Sequence, residues 1–327
     1  MSEPLKWGIL ATGVIAGKFA TDLESTNRGI LVATGSRSKE NAENFAAKHG
    51  GKGYGSYDEV LADPDVEAVY NSPPNHLHKE WTIKALRAGK HVLCEKPIAL
   101  NAAEAEEMFR VAEESGKVLV EAFMYRLRPV VKKILETVRS GVIGDVRLIR
   151  SNFTFAREAD KADARYHAEW GGGSFMDIGA YSVNFCRAVA GSEPTEIHAV
   201  AHMHEHGVDD YAAGLFKFGD NILATFTAGM TVMSDRKVFI AGTKGRIMAD
   251  QPWFDNETFE LTVGEETTVV EAKQDKPLYT LEAEAFADVV QNGVESWTTK
   301  ADTLGNMRAL DELRRQVGLP VDGLGNA

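Results

Sequence analysis

The sequence predicts an α/β protein: an N-terminal, doubly wound parallel sheet of the Rossmann type, then an α+β domain with an open, mainly antiparallel sheet. Three observations carry this prediction. Up to about residue 122, short apolar runs alternate with helix-like stretches. Beyond it, strand-length runs follow one another across glycine-containing turns. The chain also opens on WGILATGVIA (7–16), a strand that passes through a glycine turn into a helix. A boundary at 122/123 follows, giving domains 1–122 and 123–327.

The apolar runs 5–10, 30–35, 66–71, 91–93 and 118–120 are too short for helices and suit strands buried on both faces. Helices fill the gaps. One is expected over 76–88, with Asn75 as cap and Gly89 as terminator. Another follows Asn101, with Glu104 three residues on, Ala105, Met108, Phe109 and Ala112 on one face, and Gly116 as its stop. In the second part a helix over 129–139 leads into 146–155, which reads as an exposed or edge-like strand. Strands are expected at 195–203, 211–218, 222–230, 236–241, 246–250, 257–263 and 267–271, with turns at Gly219-Asp-Asn221 and Gly242-Thr-Lys-Gly245. Helices at 174–190, 279–291 and 300–316 complete the series.

The 327 residues, 44% hydrophobic, suffice for two cores. A net charge of -12 repels nucleic-acid backbones and anionic membranes, so an anionic ligand needs a local cationic patch. The N-terminus lacks a cationic segment followed by an apolar run, and no stretch of about 18 apolar residues occurs, so a soluble, cytoplasmic protein is expected. Cys94 and Cys186 stand far apart and read as free thiols.

In the opening turn, the backbone N–H groups of Thr12, Gly13, Val14 and Ile15 fall where a dinucleotide pyrophosphate meets a helix N-terminus. Gly13 occupies the position of close backbone approach and Ala16 replaces the third fingerprint glycine, while Ala11 stands where the first is usual. A plain strand-to-helix turn is the bland alternative. The second strand ends ATGSRSK (33–39), without the acid that holds the ribose 2′-hydroxyl of NAD. Ser36 and Arg37 suit a 2′-phosphate, so NADP is the expected cofactor with NAD possible; the bland alternative is a basic residue on an exposed turn.

Together with that turn, CEKP (94–97) and GGGSFMDIGAY (171–181) resemble the glucose–fructose oxidoreductase, inositol dehydrogenase and rhizopine catabolism (Gfo/Idh/MocA) family over nearly the whole chain. The resemblance implies that 123–327 binds substrate and forms oligomers, a homodimer or homotetramer, and that the Lys96–Pro97 bond is cis. Strand topology brings Lys96 to the carboxyl end of a parallel strand, where ligands of such folds bind. Ser174 is expected to cap the helix carrying Asp177 and Tyr181, spaced i and i+4. Asp177 has two readings, site carboxylate or capping acid; Tyr181 is either a buried ring or the acid/base residue that the family places here.

A tyrosine rather than a histidine resembles the branch of glucose–fructose oxidoreductase, dimeric dihydrodiol dehydrogenase and NADP-dependent D-xylose dehydrogenase. It implies hydride transfer between nicotinamide and a carbinol or carbonyl carbon of a sugar, polyol or cyclic diol, with Lys96, Tyr181 and Asp177 as catalytic residues. A nearby ammonium group helps a phenol of ordinary pKa near ~10 to ionise. SPPNHLH (72–78), with Ser72, Pro73, Asn75 and His78, resembles the family segment that approaches the cofactor; its histidines otherwise read as polar residues of a first helical turn. Glu95 belongs with Lys96 and Pro97 to the family signature, and EAFMYR (121–126), with Arg126, resembles the segment that borders the nicotinamide and substrate. Met124, beside Tyr125, reads as substrate-bordering or core. In the 156–173 loop Arg157, Arg165, Tyr166 and Trp170, with Phe155 before them, offer aromatic and cationic groups to a sugar.

The HMHEH run at 202–206 would place three imidazoles on one side of a strand, but strand-end histidines are the simpler reading and no metal is expected. Two rival classes share these motifs: a cofactor-cycling glycoside hydrolase and a non-catalytic cofactor-binding sugar sensor.

Overall fold

A computed structural model describes residues 3–160 and 162–322. Met1 and Ser2, at the start of the segment read for a leader, lie outside the described residues, as do Lys161 of the 156–173 loop and residues 323–327. Among the described residues no helix is long and apolar enough to cross a membrane.

The chain forms two compact units. The first contains the chain up to Ala99, then Ala103–Leu127 and Lys276–Thr303, so a single break at 122/123 does not describe it. Its elements are β1 (Leu5–Leu10), α1 (Val14–Leu23), β2 (Gly29–Gly35), α2 (Lys39–His49), β3 (Lys52–Tyr54), α3 (Tyr57–Ala62), β4 (Ala68–Asn71), α4 (His78–Arg87), β5 (His91–Glu95), most of α5 (Ala102–Ser115) and β6 (Leu119–Ala122). The six strands run parallel in the order β3-β2-β1-β4-β5-β6, the doubly wound order of a dinucleotide-binding sheet. β4 and β6 are buried at every residue, as strands covered on both faces must be. Three departures from the expected elements stand out. β3 was not expected, because Lys52-Gly-Tyr54 has no apolar run. The helix after β4 starts as a 3-10 turn, Asn75–Leu77, and becomes α-helical only at His78. The third departure concerns the late segment of this unit, which includes a long helix and supplies core aromatics: Trp7 packs at 5.1 Å on Phe19 and at 5.1 Å on Phe286, and Phe19 stacks on Tyr70 at 4.0 Å.

The second unit holds α6 (Pro129–Arg139), β7 (Val146–Thr154), α7 (Ala180–Ala190), β8 (Glu196–Met203), β9 (Asp209–Phe218), β10 (Ile222–Gly229), β11 (Lys237–Gly242), β12 (Gly245–Asp250), β13 (Thr258–Val263) and β14 (Glu266–Glu271). The remaining helices are α8 (Leu278–Asn292), the long helix of the first unit, and α9 (Lys300–Gln316), which belongs to the second unit from Leu304 onward. The eight strands are ordered β14-β13-β12-β11-β7-β10-β9-β8 and are antiparallel except for the β7–β10 pair. β7 is therefore central, which corrects the edge-like reading of 146–155. Leu148 and Arg150 face solvent while Ile149, Ser151 and Phe153 are buried, so the polar alternation marks an open sheet face rather than a sheet edge. The covered face packs against α7 and a core in which Phe216 and Phe226 stack at 5.3 Å.

Candidate functional site

In the first unit the predicted cofactor residues collect at the carboxyl ends of the parallel strands. After β1, Ala11 has φ +81°, a left-handed conformation that favours glycine and in which the first fingerprint glycine normally sits. The backbone thus adopts the fingerprint turn despite the alanine. Gly13 starts α1 with no side-chain cap, no acid stands in the first turn, and a Cβ on Gly13 would meet nothing within 4 Å. First-turn N–H groups have no intrahelical acceptors, so Gly13, Val14 and Ile15 present donors and a positive helix end across open space. These residues fit a dinucleotide pyrophosphate. Val14, at the first position of α1, is exposed.

Beyond β2, Ser36 is buried and its hydroxyl accepts the Ser38 N–H at 3.2 Å, while Arg37 is exposed. Ser38 in turn caps α2 through Asn41 N–H at 3.3 Å. After β4, the Ser72 hydroxyl donates to Leu10 O at 2.9 Å and joins the two strand ends. His78 is buried, with Nδ1 at 2.8 Å from Pro97 O and Nε2 at 2.8 Å from Pro73 O. Burial pushes the imidazole down to about 4 against the pull of the two carbonyls, with His76 and Lys96 adding to the depression. Neutral His78 carries one N–H, so it donates to one of these two carbonyls, and the ring sits between the Pro73 turn and the Lys96–Pro97 turn.

After β5, the Lys96–Pro97 bond is cis, as the resemblance implied. Glu95 accepts a short hydrogen bond from the Tyr70 hydroxyl and the Lys96 N–H at 3.2 Å. After β6, Met124 is buried in a 3-10 turn, and Arg126 Nη1 donates to Asp302 at 3.3 Å. Asn75 lies in the turn before α4.

In the second unit, Phe155 follows β7, and the guanidinium carbons of Arg157 and Arg165 lie 5.6 and 5.9 Å from its ring centre. Arg165 Nε donates to Asp177 at 2.6 Å and Nη1 to Asp163 at 3.1 Å. The Asp177 carboxylate raises the guanidinium pKa, with Asp163 adding to it, so Arg165 stays charged. Trp170 stacks on His167 at 3.9 Å. The segment of Asp177 begins not with a capped α-helix but with a π-helical turn, Phe175–Gly179, that continues into α7. Ser174 does not cap it: its backbone is already helical, at φ -67° and ψ -32°, and its hydroxyl donates to Asp209 instead at 2.6 Å.

Tyr181 is almost buried and lies among rings absent from the sequence reading: Phe153 at 5.4 Å, Trp253 at 5.9 Å and Phe254 at 6.5 Å. Phe254 is 39% exposed, so this aromatic surface reaches solvent. The only signal for it in the sequence is QPWFDN at 251–256, whose distance along the chain from Tyr181 hid the contact. The three histidines of 202–206 divide: His202 bonds to Asp210 at 2.7 Å and stacks on Tyr211, while His204 and His206 pack on Tyr166. Cys94 and Cys186 are free and buried, and burial pushes both thiols up.

Residues 5–123 match the family model for an oxidoreductase family NAD-binding Rossmann fold, and residues 131–248 match that for the GFO/IDH/MocA C-terminal domain. The chain belongs to the Gfo/Idh/MocA oxidoreductase family. It is 36% identical to mouse trans-1,2-dihydrobenzene-1,2-diol dehydrogenase over 255 residues, 76% of this chain and 75% of the relative. Its fold is similar to that of a 3-ketoreductase from Actinomadura kijaniata solved with NADP and TDP-benzene, with a TM-score of 0.88 and 28% identity over 96% of this chain and 98% of the other. It is also similar to an aldose-aldose oxidoreductase from Caulobacter crescentus complexed with glycerol, with a TM-score of 0.90 and 26% identity over 96% and 97% of the two chains.

Proposed function

We propose that the protein is an NADP-preferring dehydrogenase or reductase acting on a CH–OH or carbonyl carbon of a cyclic diol or sugar, with Tyr181 as proton donor and acceptor. The observation that carries this reading is the setting of Tyr181: a phenol in the first turn of α7, directly after the π-helical turn, among Phe153, Trp253 and Phe254, with Asp177 of the Arg165–Asp177 pair on that preceding turn. Aromatic walls favour the apolar face of a ring, and the charged pair supplies hydrogen-bonding groups for hydroxyls. The named activities of the diol dehydrogenase, ketoreductase and aldose oxidoreductase relatives support the same chemistry.

When bound, the nicotinamide supplies hydride acceptance and donation. The protein's residues do the rest. Tyr181 takes the hydroxyl proton in oxidation and returns it in reduction; Lys96 orients the oxygen and stabilises its developing negative charge; Asp177, held by Arg165, orients a second hydroxyl. Ser36 and Arg37 hold the 2′-phosphate, which accounts for the NADP preference, and Thr12, Gly13, Val14 and Ile15 hold the pyrophosphate. The second unit binds the substrate, with Phe155, Arg165 and Trp170 bordering it, and Met124 is a further substrate residue.

We further take the protein to work in the cytoplasm as a homodimer or homotetramer. The solvent face of the second sheet, with Leu148, Val200, Tyr211, Leu215 and Leu223 exposed, supports that assembly. The test of function is a spectrophotometric screen of cyclic diols, aldoses and polyols with both cofactors, repeated with Tyr181→Phe. Turnover should fall by about 10²- to 10⁴-fold while cofactor affinity holds. Near-normal turnover in the variant would remove Tyr181 from this role. Sugar release from a glycoside with no net change of reduced cofactor would point to the hydrolase.

A further inference from the structure

β9 opens with two buried carboxyl residues that point to opposite faces of the sheet, Asp209 and Asp210. Asp210 accepts a hydrogen bond from the Thr231 hydroxyl and is bonded to His202. Asp209 faces the other way. Its Oδ2 accepts both the Ser174 hydroxyl at 2.6 Å and the Phe175 main-chain N–H at 2.8 Å. A helix usually receives such a bond from the residue that opens it; here Ser174 does not cap, and the acceptor comes from a strand 34 residues further along.

The other oxygen, Oδ1, is buried without a hydrogen-bond partner and lies against the bare Cα of Gly173. A Cβ on Gly173 would stand 2.1 Å from Asp209 Oδ1, and Gly173 has φ +105°, which side chains rarely adopt. Gly173 is itself held at both ends: its N–H donates to Arg165 O at 2.9 Å, and its carbonyl accepts the Asp177 N–H at 3.0 Å. The carboxylate of Asp209 therefore grips the point from which the π-helical turn, and Tyr181 beyond it, takes its direction.

We propose that Asp209 is a positioning residue, capping the Phe175–Gly179 turn from the neighbouring strand and so setting where Asp177 and Tyr181 stand. The glycine at 173 is the clearance this cap requires. As far as it concerns turnover, the proposal rests on the assigned roles of Tyr181 and Asp177; as far as it concerns the cap, it does not.

The test compares Asp209→Asn, Asp209→Ala and Gly173→Ala by hydrogen–deuterium exchange and by kinetics with NADPH. The carboxamide oxygen of the asparagine can accept both bonds, so Asp209→Asn should keep native protection over 174–181 and turnover within about threefold. Loss of a cap is worth about 1.4 kcal/mol, so Asp209→Ala and Gly173→Ala should each speed exchange over 174–181 by about tenfold, leaving the protection of β11 and β12 intact. Their kcat should fall with KM for NADPH unchanged. Native protection at 174–181 in a folded Asp209→Ala or Gly173→Ala protein would overturn the proposal, and so would equal losses in Asp209→Asn and Asp209→Ala. If Asp209→Ala does not fold, the Asp209→Asn and Gly173→Ala pair decides. Should Tyr181→Phe keep its turnover, the functional reading fails while the exchange comparison still judges the cap.

Discussion

Replacing Arg37 by alanine separates the two nicotinamide cofactors. Arg37 follows the carboxyl end of β2 on an exposed turn, and its field reaches Tyr57, whose hydroxyl it makes easier to ionise against the larger effect of burial. Two unit charges about 4 Å apart attract by roughly 1 kcal/mol in bulk water and roughly 4 kcal/mol near a protein surface. An exposed guanidinium belongs toward the lower end, and a hydrogen bond to a charged group adds to it, so about 1.5–3 kcal/mol is expected from a 2′-phosphate contact. Arg37→Ala should thus lower kcat/KM for NADP by about 10- to 100-fold. NAD, which has no phosphate there, should be unaffected. Stability should move by no more than about 0.5 kcal/mol, because the side chain is exposed. Initial rates with each cofactor at two ionic strengths check this, the NADP advantage shrinking with salt in the parent protein and hardly at all in the variant. Equal losses with both cofactors, or an unchanged preference, would refute the placing of Arg37 at the phosphate.

Three further outcomes follow from particular residues. Ala11→Gly should raise stability by up to about 1 kcal/mol in urea unfolding, the relief of a left-handed alanine exceeding the entropy cost of glycine; a loss of stability would show that φ +81° carries no strain. Burial pushes the Asp209 carboxyl up to about 7 against the lowering effects of the Ser174 hydroxyl, the Phe175 N–H and Arg314. The folded state then holds this proton more tightly than the unfolded chain, so its stabilising contribution is complete below about pH 4 and is lost as pH rises to about 7. Asp209→Asn should lack that decline, and parallel pH profiles of unfolding free energy for the two proteins would contradict it. Val200→Glu and Leu215→Lys, on the open sheet face, should shift light-scattering mass toward the monomer; a parent protein that is already monomeric would dismiss that face as an interface.

The parallel sheet was legible because its strands are buried on both faces and so read as uninterrupted apolar runs. β3 was not, because three residues, one exposed and two half-buried, carry no such pattern. α6 appeared with its bounds intact, marked by Pro129 at its start. β7 shows the limit of periodicity: alternation reports that one face is wet and is silent on how many neighbours a strand has. In the site, Lys96 and the 171–181 segment were visible as local motifs. Asp209, Trp253 and Phe254 were not, since each meets the segment only through strand pairing and packing across long loops. Ser174 misled for the same reason: a serine before a helix is a good cap until a buried carboxylate offers its hydroxyl a better acceptor.

The late arrival of α8 has a consequence for biosynthesis. Phe286 packs on Trp7, Tyr279 N–H donates to Asp22 at 3.0 Å, and Arg28 pairs with Asp288 at 2.8 Å, so the nucleotide unit is completed by residues made some 250 positions after its first helix. At about 5–20 residues per second, the ribosome leaves that unit waiting for roughly 8 to 30 seconds with Trp7 packed on Phe19 but not yet covered by Phe286. The second unit's strands emerge in that interval. Nascent chains halted before Lys276 should therefore need chaperones, and should bind no dinucleotide until α8 is free of the exit tunnel.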